Sequence, residues 1–172
     1  VEEVVIHDSS IRLNDEYTYN YCTIGGGTNG SFGSIDIQNS QIHIPSSGGN
    51  TAIGNGWQVY YNRESRIRIA NSEVSVRCAS LGPAIGAAWD SGSGRINIII
   101  ENSTVTAKGG NLRTDGNYVP GIGKNALGRA PEIGIQILNS TVDSFRLTER
   151  EGTDYVYDDL HTKELPGIPA EN

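Results

Sequence analysis

The chain has 172 residues, 22 of them glycine, with 36% hydrophobic content and no long apolar run. That suffices for one domain and excludes a membrane helix, which needs ~20 consecutive apolar residues. A net charge of -7 without a basic cluster argues against nucleic acid and polyanionic substrates and favours neutral partners.

The first element is "VVIHDSSIRL", Val4 to Leu13. Apolar and polar residues alternate on both sides of Asp8-Ser9, which predicts two short strands meeting at a corner. The loop "NDEYTYNYC" follows with Tyr17, Tyr19 and Tyr21, and then "TIG" from Thr23 to Gly25. "GGGTNGS", Gly25 to Ser31, lacks the Lys-Ser/Thr ending of a phosphate loop and precedes no helix, so it is read as a turn.

The strand–corner–strand pattern returns as "IDIQNSQIHI" (Ile35 to Ile44), "IRIANSEVSV" (Ile67 to Val76), "INIIIENSTVTA" (Ile96 to Ala107) and "IGIQILNSTVDS" (Ile133 to Ser144). Its corner residues are Asp8, Asn39, Asn71, Asn102 and Asn139, spaced by 31, 32, 31 and 37 residues. Asn tolerates the left-handed backbone that a sharp corner requires, and stacked Asn amides are expected to form a hydrogen-bonded ladder. After each pair comes a short segment centred on one isoleucine: "TIG" at Thr23, "AIG" at Ala52, "AIG" at Ala84 and "GIG" at Gly121.

Three strands per period predict an all-β fold, a right-handed parallel β-helix (a solenoid) of about five coils, each burying its apolar face against its neighbours. The competing β-sandwich does not explain agreement in register at five positions. The solenoid is expected over residues 1–157, with "DYVYDD" as a closing strand and Val156 in the isoleucine slot. An acidic C-terminal tail or linker is expected over 158–172. With no signal peptide and no methionine, the chain is expected to be part of a longer precursor.

Cys22 and Cys78 fall in the first and third coils, at least ~9.6 Å apart at ~4.8 Å per coil, which is beyond disulfide reach. Two free thiols are expected. His7 and His43 occupy similar strand positions in adjacent coils and are expected near one another, as exposed side chains rather than a metal site. Of the sequons at Asn29, Asn102 and Asn139, the last two belong to the corners. Asp154, Asp158 and Asp159 offer oxygen ligands for calcium, against the simpler reading of a solvated acidic tail; no cofactor is required.

If Ile24, Ile53, Ile85 and Ile122 point inward, their neighbours Ala52, Gly54, Ala84, Gly86, Gly121 and Gly123 point outward and leave a bare strip. Trp57 and Trp89 follow that strip at matching positions and are expected to stack. Tyr60, Tyr61, Asn55 and Asp90, with Arg113, Asp115, Asn117, Tyr118 and Lys124 near the last strip segment, would complete the walls of a groove. Sugar rings lie on aromatic faces, and their hydroxyls bond to Asn, Asp, Arg and Tyr. The alternative is packing alone, with the tryptophans stacked on each other and the strip covered by the C-terminal segment. For catalysis, Asp90, Asp115, Arg113, Lys124 and Arg129 are the candidates. No carboxylate pair recurs on the strip, which favours binding over cleavage.

The segments "IENSTVTAKGGN…VPGIGKN" and "ILNSTVDSF" resemble the coils of right-handed β-helix domains in secreted bacterial carbohydrate-active proteins, over about Val4 to Ser144. Within that group the chain is similar to the xylan-binding modules of family 89, attached to xylanases of gut Bacteroidetes. The resemblance implies a non-catalytic module that binds xylan or a related neutral glycan and targets an attached catalytic domain to it, in a secreted or cell-surface protein. It assigns no binding residue. A short β-helical lyase or hydrolase, and a structural or adhesive surface module, remain the alternatives.

Overall fold

A computed structural model describes residues 1–13, 22–27, 30–47, 50–57, 63–78, 82–88, 94–110, 119–125, 131–144, 147–150 and 154–157. Among them the chain is all-β. Its strands are β1 (Glu3–His7), β2 (Ser10–Arg12), β3 (Ile24–Gly26), β4 (Ser34–Gln38), β5 (Gln41–Ser47), β6 (Ile53–Asn55), β7 (Arg63–Ala70) and β8 (Glu73–Cys78). They continue as β9 (Ile85–Ala87), β10 (Gly94–Glu101), β11 (Thr104–Lys108), β12 (Ile122–Lys124), β13 (Glu132–Leu138), β14 (Thr141–Ser144), β15 (Leu147–Arg150) and β16 (Asp154–Tyr157). None of the described residues forms a helix long and apolar enough to cross a membrane.

Each of the first four repeats sends one strand to each of three sheets, and the fifth sends β13 to the first and β14 to the second. The first sheet has the order β1-β4-β7-β10-β13-β16-β15, the second β14-β11-β8-β5-β2 and the third β12-β9-β6-β3. All pairings between repeats are parallel, and like residues meet: Ile35 with Ile67, Ile67 with Ile98, and Ile98 with Ile135. In the second sheet Ile11, Ile42, Val74, Val105 and Val142 form one such column. In the third sheet it is Ile24, Ile53, Ile85 and Ile122. This arrangement is consistent with a solenoid.

The columns are the core. Ile35, Ile37, Ile53, Ile67, Ile69, Ile85, Ile98 and Ile100 are fully buried. Burying one such side chain is worth roughly 2 to 3 kcal/mol, so these columns supply most of the drive to fold.

The five corner residues have φ between 47° and 51°, in the left-handed region as expected. The expected amide ladder is reduced to one step among the described residues, Asn39 Nδ2 donating to Asp8 Oδ1 at 3.1 Å. The serines carry the ladder instead. The backbone N–H groups of Ser9, Ser40, Ser72 and Ser103 each donate to the hydroxyl of the next repeat's serine, at 3.0–3.1 Å. The hydroxyls of Ser40, Ser72, Ser103 and Ser140 in turn donate to a carbonyl two residues back. A hydroxyl donates and accepts on one short stem and reaches the backbone above, whereas the amides point outward and stay exposed.

Cys22 and Cys78 are free thiols. Two other expectations are corrected. His7 lies on β1 and His43 on β5, in different sheets, because one precedes the corner and the other follows it. Val156 does not take the isoleucine slot of the third sheet. It lies in β16, which pairs antiparallel with β13 and β15 and closes one end of the first sheet as a hairpin.

Candidate functional site

The bare strip has a different meaning from the one expected. Ala52 and Ala84 are fully buried and belong to the core cluster, and Gly54, Gly86, Gly121 and Gly123 are buried too. Gly54 has φ 137° and Gly86 φ 130°. A Cβ on Gly54 would strike the Gly86 carbonyl oxygen, and one on Gly86 the Gly123 carbonyl oxygen. The glycines are there because backbone stacks on backbone. They do not leave an open floor for a ligand.

Three expected site residues are described. Asn55 ends β6 and is buried, in register with Ala87 of β9; Lys124 ends β12 in register with the same residue and is partly exposed. Trp57 follows Asn55 by two residues and is half-buried. Asn55 and Lys124 therefore mark one end of the third sheet's strands, and Trp57 lies just past it. Trp89, Tyr60, Tyr61, Asp90, Tyr118, Asn117, Arg113 and Asp115 lie outside the described residues, as do Arg129, Asp158 and Asp159.

The described surface does have a polar trough, on the outer face of the second sheet. Ser10, Gln41, Glu73, Thr104 and Thr141 are register partners, and all five are exposed. Beside them runs a second column of Arg12, His43, Ser75, Thr106 and Asp143. An open depression of about 450 Å³ is lined by Asn39, Gln41, Asn71, Glu73, Asn102 and Thr104, among others. An adjoining one of about 220 Å³ reaches Arg12, His43 and Ser75 and shares Gln41 and Glu73 with the first. Alternation on a strand places every second residue outward, so this face follows from the repeat itself. Its signal was the residue two places after each corner, which is polar every time.

The outer face of the first sheet is charged, with Arg68 paired to carboxylates on both neighbouring strands. Arg68 Nε donates to Glu101 Oε1 at 2.7 Å, and its Nη1 lies 3.3 Å from Asp36 Oδ1. Asp36 also accepts from Gln38 Nε2 at 2.8 Å and approaches His7 Nε2 at 3.4 Å. Partial burial alone would raise the Asp36 pKa. The hydrogen bonds from Gln38 and His7 and the Arg68 charge outweigh it and hold the carboxyl below its ordinary value.

The thiol of Cys22 sits among carbonyl oxygens of Ile24 and Gly54 and accepts from Thr51 Oγ1 at 3.3 Å. The residue is partly exposed, but desolvation of the thiol pushes its pKa up to about 11, which keeps it protonated at neutral pH and lowers its reactivity. No group of three or more His, Cys, Asp or Glu side chains able to hold a metal occurs among the described residues. Comparison with protein families, curated proteins and solved structures finds no match to this chain.

Proposed function

We propose that the three sheets wind as a right-handed parallel β-helix and that the molecule is a non-catalytic carbohydrate-binding module. Its ligand is an extended neutral plant polysaccharide, with xylan the leading candidate. In this reading it belongs to a secreted bacterial protein and delivers an attached glycoside hydrolase to its substrate, raising the local concentration of substrate. No cofactor takes part.

The observation that carries the reading is the exposed column Ser10, Gln41, Glu73, Thr104 and Thr141. Strands repeat at about 4.8 Å, comparable to the advance of one sugar unit along a chain. Successive hydroxyls of a glycan laid along the column therefore meet successive donors and acceptors. Cleavage by acid and base needs two placed carboxyl groups; among the described residues that line the two depressions, Glu73 is the one carboxylate. That favours binding over catalysis. The aromatic margin beyond the third sheet, with Trp57 and the expected Trp89, Tyr60 and Tyr61, is the competing contact surface.

Affinity electrophoresis through gels containing xylan tests both. Gln41→Ala combined with Thr104→Ala is expected to weaken retardation about tenfold or more, at roughly 1 kcal/mol per lost hydrogen bond. Trp57→Ala separates the two surfaces: if it abolishes retardation and the double variant does not, the aromatic margin is the site. Migration of the unsubstituted protein unaltered by xylan and by a panel of neutral glycans refutes the reading.

A further inference from the structure

One end of the first sheet is the hairpin of β16 and β15, with β15 outermost, and the other ends on β1. Edge strands present unpaired N–H and C=O groups that invite pairing. Bonding parity shows which groups of β1 are open. The Ser34 N–H donates to the Glu2 carbonyl, and the Asp8 N–H donates to the Gln38 carbonyl. Even-numbered residues thus bond inward to β4. In a parallel ladder alternate residues bond to opposite sides, so the N–H and C=O groups of Glu3, Val5 and His7 face the open edge.

The side chains of β1 are also unusual for an edge. Val5 is 52% exposed, one of three large hydrophobic residues classed as exposed in the described set. Val4 and Ile6 are only partly buried, although they head the core columns. The register partners of Val4 and Ile6 on β4, Ile35 and Ile37, are fully buried.

The geometry points to a second copy of this chain as the occupant, paired β1 to β1 antiparallel about a two-fold axis at Val5. The strand reads Glu-Val-Val-Ile-His and is complementary to itself in that register. Val5 meets its own copy, Val4 meets Ile6, and Glu3 meets His7, acid against base. The parity also agrees: the pairs Val5–Val5 and Glu3–His7 are those whose backbone groups face the edge, as a hydrogen-bonded antiparallel pair requires. A shift by one residue would lose both the bonding parity and the charge match. Glu2, next in line, is already neutralised by Arg63 at 2.7 Å. A two-fold interface closes on itself and adds no third copy at this edge; the joined sheet then ends on β15 of each copy. The dimer joins the two first sheets into one and covers the half-exposed Val4 and Ile6. It is independent of any glycan.

Sedimentation velocity on the 172-residue chain over a concentration series tests the proposal, with far-UV circular dichroism to verify folding. The unsubstituted protein is expected to dimerise reversibly. Val5→Pro removes an edge-facing N–H and no bond to β4, a place where proline is tolerated; it should yield a folded monomer. His7→Lys should tighten dissociation roughly threefold to tenfold, through two symmetric opposite-charge pairs. Adding Glu3→Lys to His7→Lys should reverse that gain. A monomer at every concentration overturns the proposal. So does a dimer that Val5→Pro leaves intact, or association that ignores both charge changes.

Discussion

The backbone N–H of Ser72 donates to the hydroxyl of Ser103 at 3.1 Å, and that hydroxyl donates to the Glu101 carbonyl at 2.7 Å. One side chain thus ties two successive corners together. Both serines are buried, so neither bond is easily replaced by water.

Ser103→Ala leaves the Ser72 N–H buried and without an acceptor. A lost partner of that kind costs about 1 to 3 kcal/mol. Urea unfolding should show a destabilisation in that range. Asn102→Ala at the same corner acts by a different route, forcing a residue with a Cβ and no compensating polarity to hold φ 49°. It is expected to cost about 1 kcal/mol.

Gly86→Ala should be more severe. Its Cβ meets the Gly123 carbonyl oxygen and its φ is 130°. Backbone strain of this sort costs about 1 to 3 kcal/mol before the steric contact is counted. Loss of cooperative thermal unfolding, or recovery only in inclusion bodies, is the expected outcome. An alanine variant as stable as the unsubstituted chain would contradict the stacking of backbone on backbone. By contrast Ile85→Ala, which only opens a cavity, should cost about 2 to 5 kcal/mol and keep the fold.

The carboxyl of Asp36 is held below its ordinary value of 3.8. A depressed carboxyl contributes stability above its unfolded value and loses it as pH falls through the folded one. Asp36→Asn should therefore destabilise the protein at neutral pH. The gap between variant and unsubstituted chain should close in acid, below about pH 4. Melting temperatures measured from pH 7 to pH 2 check this.

Cys22 behaves in the opposite sense. Its pKa is raised from 9.0 to about 11, so the stability it contributes is complete below pH 9 and is lost as pH climbs through 11. In native protein at pH 8 it should react with iodoacetamide many times more slowly than in urea. Mobility on a denaturing gel should be the same with and without reductant. A shift on reduction would place a disulfide where the structure has two thiols.

The parts of the fold set by periodicity could be read from the residues. Asn39, Asn71, Asn102 and Asn139 announced the corners, and the isoleucines at 24, 53, 85 and 122 announced a buried column; both hold. What failed was the step from alternation to exposure. Ala52 and Gly54 flank an inward isoleucine, yet they are buried as well. Strict alternation assumes ordinary strand dihedrals, and Gly54 at φ 137° breaks that assumption. The position of Val156 failed for a related reason. Its segment resembles a further strand, but strand direction is not encoded in alternation, and β16 runs antiparallel to β13. The polar column at Gln41 and Glu73 is present in the repeat two places after each corner, but polarity alone does not distinguish it from any solvated strand face.

Like residue lies beside like residue from one repeat to the next, from Ile35 to Ile67 to Ile98 to Ile135. Each boundary between neighbours is therefore nearly interchangeable with the others. A gene that duplicated or deleted one whole period in the middle would rebuild the same seam with the same side chains. A change of half a period would put every corner out of phase. Evolution of such a molecule is quantised: it can lengthen or shorten, but only in entire units.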